Sequence, residues 1–314
     1  MEKRKIGKSG LEVYPFDLGG NVFGWTADEK TSFEILDIYL DAGFNFIDTA
    51  NVYSVWAEGH EGGESETIIG KWLNKRGNRK DIVLTTKVGA QISRSSRGLK
   101  KDYILQQAEE SLRRLQTDYI DLYFTHYDDT GTPIEETLEA YAQLIKEGKV
   151  RYIGASNMSA CRVEESIKRS RENGFPEYIC LQPQYNLYDR SVFETEYESL
   201  AKEYELGVVP YQALASGFLT GKYKFGEDAK GDRAGAVNNY MNDRGKRIID
   251  ALEEVAKEYN ATPAQISIAW LIAHPSVTAP IASMSKPEQK DILKAVDMKL
   301  SREALDKLTE SGKE

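Results

Sequence analysis

Four side chains of complementary acid–base type close three short apolar runs. Asp48 ends Phe46-Ile47, with Tyr53 five residues beyond it, Lys87 follows Ile82 to Thr86, and His126 follows Tyr119 to Thr125. The intervals from Asp48 to Lys87 and from Lys87 to His126 are both 39 residues (87 − 48 and 126 − 87), which implies one structural unit repeated. A phenol ionises near pKa 10 and gives up a proton poorly at neutral pH unless a neighbouring cation stabilises the phenolate. Lys87 is the expected cation, and Asp48 offsets the desolvation of its ammonium and aims it at the phenol. His126 would donate a hydrogen bond to an oxygen on which negative charge develops. Such a set protonates a carbonyl oxygen. Side chains contain no hydride donor, so reducing that carbonyl requires a bound cofactor. Taken singly, the residues read as a turn aspartate, a snorkelling lysine and a core histidine. Their recurrence at one end of successive units is what points to a site.

The elements that must position them alternate regularly. Residues 5–14 alternate about Lys8-Ser9-Gly10 as a hairpin does, and Phe16 to Leu18 reads as the first core strand. Thr26 to Glu29 has the form of a capping box, opening a helix with Phe33, Leu36, Tyr39 and Leu40 on one face and Gly43 at its end. A helix near Ser65 to Lys75 precedes the run ending at Lys87. Another, carrying Ile104, Leu105, Ala108, Leu112 and Leu115, precedes the run ending at His126. Thr132 to Glu135 reads as a second capping box with Pro133 at the first helical position, and its helix runs to Gly148 before a strand at 150–153. A helix to about Asn173, a strand at 178–181, a helix near 193–204 and the strand Val208-Val209 follow. A helix capped by Thr262 and Gln265 and a short strand near 278–281 complete the series. Eight strands alternating with helices predict a single α/β domain over residues 1–314, a (β/α)8 TIM barrel with an N-terminal β-hairpin. Its chemistry gathers at the carboxyl ends of the strands.

Composition narrows the class further. The chain has 314 residues, 40% of them hydrophobic, and a net charge of −9 that repels polyanions, so no nucleic-acid partner is expected. Cys161 and Cys180 lack Cys-x-x-Cys spacing and read as core thiols, with no metal site. No apolar segment follows the first basic residues and no 18 apolar residues run together, so the expectation is a soluble cytoplasmic protein without a membrane partner. Neither Gly-x-Gly-x-x-Gly nor Gly-x-x-x-x-Gly-Lys-Ser/Thr occurs, which leaves the later strand ends to hold a cofactor. Gly154 to Asn157 and Gln182 supply amides. Tyr211 to Lys222 supplies an aromatic plate and small residues that let backbone N–H groups approach a pyrophosphate. A barrel glycosidase would need two opposed carboxylates, for which the strand ends show no pair.

These residues resemble the aldo-keto reductases, and the resemblance spans essentially the whole chain. It rests on Phe-Ile-Asp-Thr-Ala before Tyr53, Ser65-Glu66, Thr-Lys87, Asp121-Leu-Tyr-Phe-Thr-His126, Ile153 to Asn157, Gln182 to Leu187, and Leu214 to Lys222. It implies the same barrel, a catalytic tetrad on Asp48, Tyr53, Lys87 and His126, and a small-molecule carbonyl substrate. Ser156, Asn157 and Gln182 would hold the nicotinamide amide and Tyr211 would stack on its ring. Gln212, Ala213, Leu214, Ala215, Ser216, Gly217, Leu219 and Lys222 would surround the pyrophosphate. At the adenosine end this chain departs from the family pattern, with Ser283 and Leu293 where a glycine and an asparagine are common. Ser285, Lys286 and Gln289 remain, and Lys286 beside Ser285 suits a 2′-phosphate, which favours NADPH over NADH. The loop from Tyr53 to Ser65 is longer than usual, so Trp25, Trp56 and Tyr127 are expected to wall the substrate pocket. The segment Tyr223 to Arg244 reads as a cofactor lid. Because channel β-subunits also resemble this family, the alternative is a nicotinamide-binding, redox-sensing subunit with slow turnover.

Overall fold

The structure, a computed structural model, describes residues 2–93, 96–227, 230 and 234–313. Among these, eight parallel strands form one sheet: β3 (Asp17–Gly19), β4 (Phe46–Asp48), β5 (Val83–Val88), β6 (Ile120–Thr125), β7 (Val150–Ser156), β8 (Tyr178–Gln182), β9 (Gly207–Val208) and β10 (Ile281–Ala282). Consecutive strands pair in order and β10 pairs with β3. Backbone bonds from Thr278 to Val208 (2.7 Å) and from Ile281 to Pro210 (2.9 Å) join the remaining edge, so the sheet curls into a barrel with no open edge. The antiparallel hairpin β1 (Arg4–Lys5) and β2 (Glu12–Val13) precedes it. Ile6, Leu11 and Val13 pack with Phe46, Val83, Leu122, Phe124 and Val209 in the barrel interior, plugging the end opposite the strand carboxyl termini. Each such aliphatic or aromatic side chain contributes about 1.5–3 kcal/mol on burial. Gly154 is demanded by this packing, because a Cβ there would lie 2.4 Å from the Phe124 ring.

The helices cover the outside. They are α1 (Glu29–Asp41), α2 (Glu64–Arg76), α3 (Lys101–Leu115), α4 (Ile134–Lys146), α5 (Ala160–Asn173) and α6 (Glu198–Glu203, after a π-helical turn at Phe193–Tyr197), then α7 (Ala234–Val237), α8 (Asp243–Glu258), α9 (Pro263–Ala273) and α10 (Arg302–Ser311). The Thr262–Gln265 capping box forms with both of its bonds. The other two expected boxes do not. Asp28, not Thr26, caps α1, accepting from the Thr31 N–H at 2.8 Å. Before α4 the Thr132 hydroxyl turns back to the Asp129 carboxylate (2.6 Å), a charge-assisted partner stronger than a backbone amide. Pro133 therefore precedes the helix instead of opening it.

Other expectations shift as well. The last strand pairs at Ile281–Ala282, beyond most of the span expected for it. Cys180 is buried as expected, but Cys161 is exposed on α5, its position set by the solvent face of an amphipathic helix. The segment read as a lid includes residues 228, 229 and 231–233, which lie outside the described residues. Further along it, Val237 and Tyr240 are buried in the core.

Candidate active site

Parallel strands that start at one rim must finish at the other, so Asp48, Lys87 and His126 emerge together at the carboxyl mouth. Lys87 is fully buried, and all three donors of its ammonium are used. Nζ lies 2.5 Å from Asp48 Oδ2, 2.8 Å from the Thr49 carbonyl and 2.9 Å from Tyr53 Oη. Asp48 is equally saturated: Oδ2 also accepts from Tyr53 Oη at 3.1 Å, and Oδ1 accepts from Thr85 Oγ1 and Gln182 Nε2, each at 2.9 Å. The His126 ring meets the Tyr53 ring edge-on, with centroids 6.1 Å apart. The structure thus brings all four sequence-selected residues together. It adds Thr85 and Gln182 as holders of Asp48, a role that strand-end reading alone does not reveal.

The electrostatics follow from burial inside this network. Burial pulls the Lys87 ammonium below its ordinary pKa, and Asp48 opposes that fall by charge and hydrogen bond. Tyr53 is pushed well above 10, first by burial and then by the Asp48 carboxylate. The expectation that Lys87 eases ionisation of the resting phenol is therefore outweighed, because Asp48 contacts the same hydroxyl. His126 is driven well below 6.5 by burial and by the Lys87 charge, so it is neutral at physiological pH. Its Nδ1 is buried without a hydrogen-bond partner among the described residues. An orphaned N–H costs more than an orphaned lone pair, which favours the tautomer with its proton on Nε2.

Above the four residues opens a cavity of about 1580 Å³. Ser156, Asn157, Gln182, Tyr211, Gln212, Ala213, Leu214, Ser216, Gly217, Lys222, Ser285, Lys286 and Gln289 all line it, and so do Trp25, Trp56 and Tyr127. Ala215 and Leu219 do not, since both are buried in the hydrophobic core behind the loop. The polar wall is interlinked. Asn157 Nδ2 donates to the His126 carbonyl (2.8 Å), Tyr211 Oη donates to Asn157 Oδ1 (2.8 Å), and Ser156 Oγ donates to the Gln182 carbonyl (2.8 Å).

The loop after β9 tests whether a diphosphate fits. Ser216 N–H is taken by Gln212 Oε1 (2.7 Å) and Gly217 N–H by the Leu214 carbonyl (2.8 Å), so these amides hold the loop's own shape. The backbone at Gly217 is nonetheless open, because a Cβ there would meet only the Lys222 side chain, 3.6 Å away. A cationic side chain over an uncrowded left-handed turn therefore suits phosphate oxygens. Lys286 stands on a turn fixed by Gln289 Oε1, which accepts from the Ser285 and Lys286 amides at 2.7 and 3.2 Å.

A barrel with this mouth belongs to a recognisable group, and comparison with known proteins identifies which. Residues 16–313 match the model of the aldo/keto reductase family, and this chain belongs to that family. It is 37% identical to an uncharacterized oxidoreductase of Bacillus subtilis, over 97% of this chain and 94% of that one. It is 34% identical to a probable voltage-gated potassium channel subunit beta of Arabidopsis thaliana, over 95% of this chain and 92% of that one. It is 33% identical to an aldo-keto reductase of Strobilurus tenacellus, over 87% and 80% of the two chains. The chain is accordingly an NAD(P)H-dependent oxidoreductase of carbonyl compounds. No described helix is long and apolar enough to cross a membrane.

Proposed function

We propose that this protein is an NADPH-dependent reductase of aldehydes and ketones in which Tyr53 is the general acid and Asp48, Lys87 and His126 assist it. The observation that carries this reading is the position of Tyr53 Oη, held between Lys87 Nζ and Asp48 Oδ2 beneath the cavity. A reduced nicotinamide supplies the hydride for the carbonyl carbon. Ser156, Asn157 and Gln182 would hold its carboxamide, Tyr211 would flank the ring, and Lys222 and Lys286 would take the phosphates. Lys286 lines the cavity next to Ser285, a cation and a hydroxyl that suit a 2′-phosphate, which supports NADPH over NADH.

His126 Nε2–H donates to the substrate carbonyl oxygen and stabilises the charge that develops there. The raised pKa of Tyr53 does not prevent transfer, because an alkoxide is a far stronger base than a phenolate and takes the proton downhill. Tyr53 turns its O–H from Asp48 to the substrate oxygen and gives up the proton. The phenolate left behind is stabilised by the Lys87 ammonium, whose charge Asp48 maintains in the dry barrel interior.

The test is loss of cofactor absorbance at 340 nm against aromatic and aliphatic aldehydes, in wild type and Tyr53→Phe. The variant should lose about 10²–10⁴ in kcat while binding NADPH within a few-fold of wild type. Equal loss of cofactor affinity would refute the assigned role. The similarity to a protein named as a channel subunit supports a second reading, a nicotinamide-binding regulatory subunit with slow turnover. Tight NADPH binding with no reduction of any aldehyde would favour it.

A further inference from the structure

On a chain of net charge −9, the cavity wall has an opposite bias. Its described lining includes the cations Arg97, Lys100, Lys222, Lys230 and Lys286, but only two acids, Asp128 and Asp129. Asp128 is held in an ion pair, and Asp129, bonded to neutral donors, leaves its single charge between the two cations before α3 and so offsets one of them. Asp128 Oδ1 is paired with Arg162 Nε at 2.8 Å. Asp129 accepts from Thr132 Oγ1 (2.6 Å) and from the Leu99 and Gly131 amides (3.1 Å each).

The cations fall into two groups. Lys222, Lys230 and Lys286 follow β9 and β10, on the side assigned to the cofactor. Arg97 and Lys100 lie between β5 and α3, and their strand end carries Lys87. Their segment is pinned against the loop after β6, since Gly98 N–H reaches the Gly89 carbonyl at 3.3 Å and Leu99 N–H reaches Asp129. Arg97 sits immediately before this neck. The same cavity is lined by Trp56 and Tyr127, 48% and 50% exposed, with Trp25 edge-on to Trp56 at 5.5 Å. The arrangement is an aromatic rim and, on the same cavity wall, two cations that form no ion pair among the described residues and face the one Asp129 carboxylate.

We propose that the substrate is a carbonyl compound with a flat apolar body and a remote carboxylate, which Arg97 and Lys100 anchor. A guanidinium presents paired N–H donors that match a carboxylate, and the ammonium adds a point charge beside it. The proposal deepens the reductase reading and rests on it. Because both cations are solvent-exposed, screening limits the gain to the lower part of the range for charged hydrogen bonds, about tenfold.

The experiment compares 4-formylbenzoate with its methyl ester, a neutral molecule of nearly the same shape. Wild-type kcat/KM should favour the acid by about tenfold at low salt and less at high salt. Arg97→Gln/Lys100→Gln should bring the ratio to about one, and Arg97→Glu should invert it. A wild-type ratio of one or less, or a ratio the double variant leaves intact, overturns the proposal. Calorimetric titration of acid and ester into the NADP⁺-loaded protein separates this inference from the reductase reading. Tighter acid binding that the double variant loses supports the carboxylate anchor even where neither compound is reduced, and equal or absent binding overturns it.

Discussion

Replacing Asp48 by Asn removes one charge from a fully buried pair and keeps its shape. Two unit charges at the 2.5 Å separation of Nζ and Oδ2 attract by roughly 6–7 kcal/mol at an effective dielectric of about 20. The net loss is smaller, because Thr49 O and Tyr53 Oη still accept from Nζ, and orphaning one member of a buried pair costs about 3–5 kcal/mol. Lys87 has an escape that caps this cost, since it can shed its proton. Burial already lowers its pKa and Asp48 is the largest influence raising it. In Asp48→Asn the pKa of Lys87 therefore falls further, and wherever the ammonium sheds its proton the support for the Tyr53 phenolate goes with it.

That single proton ties stability and activity together with opposite signs. In the variant the folded-state pKa of Lys87 lies further below its unfolded value of 10.5, so the unfolded chain binds more protons between the two. Stability then rises with pH across that interval and falls as Lys87 is forced to ionise. Activity should do the reverse. At pH 7 kcat/KM falls by about 10²–10⁴, and it recovers by roughly tenfold per unit as pH drops and Lys87 regains its charge. The assay is kcat/KM and the urea midpoint measured side by side from pH 5 to 9, with Asp17→Asn in the same background to remove the second carboxyl facing Lys87. A reduced activity that is flat with pH, or stability and activity that move together, would refute the reasoning.

Two further outcomes follow from the same electrostatics. His126 is held well below 6.5, so the wild-type kcat/KM for reduction should show no ionisation near that value. Its alkaline fall should come as Lys87 deprotonates below 10.5; a profile from pH 5 to 10 with a midpoint near 6.5 would contradict a neutral imidazole. Asp17 is fully buried with neither carboxylate oxygen partnered among the described residues, and burial followed by the charge of Asp48 raises its pKa well above 3.8. The folded state then binds the extra proton, so this group destabilises the protein as pH rises above 3.8. Asp17→Asn should flatten the decline in urea midpoint between pH 5 and 8, and each kcal/mol regained is worth roughly 2 °C in Tm.

What could be read from the sequence depended on whether the signal was local or came from packing across the barrel. Asp48, Lys87 and His126 were legible because each ends an apolar run, and a parallel barrel brings strand ends together whatever their details. From the chain alone Gln182 suggests only an amide for the nicotinamide. Its bond to Asp48 joins residues 134 positions apart and depends on barrel closure, which periodicity does not encode. The helix α8 went unread although Ile248, Ile249, Leu252 and Val255 share its buried face, because the glycine- and asparagine-dotted stretch before it argued for irregular chain. Arg97 and Lys100 carry no sequence signal at all, since charges in a polar loop are its ordinary composition. They acquire meaning only when the fold places that loop on a cavity wall and pairs Asp128 with Arg162. Asp17 is hidden too. A carboxylate in the middle of the run Phe16 to Leu18 gives no local sign of what it faces, and only the closed barrel makes it a buried acid two residue pairs below Asp48. Residues whose role depends on what lies across the barrel are therefore where reading the chain alone falls short, and they include the positions proposed to choose the substrate.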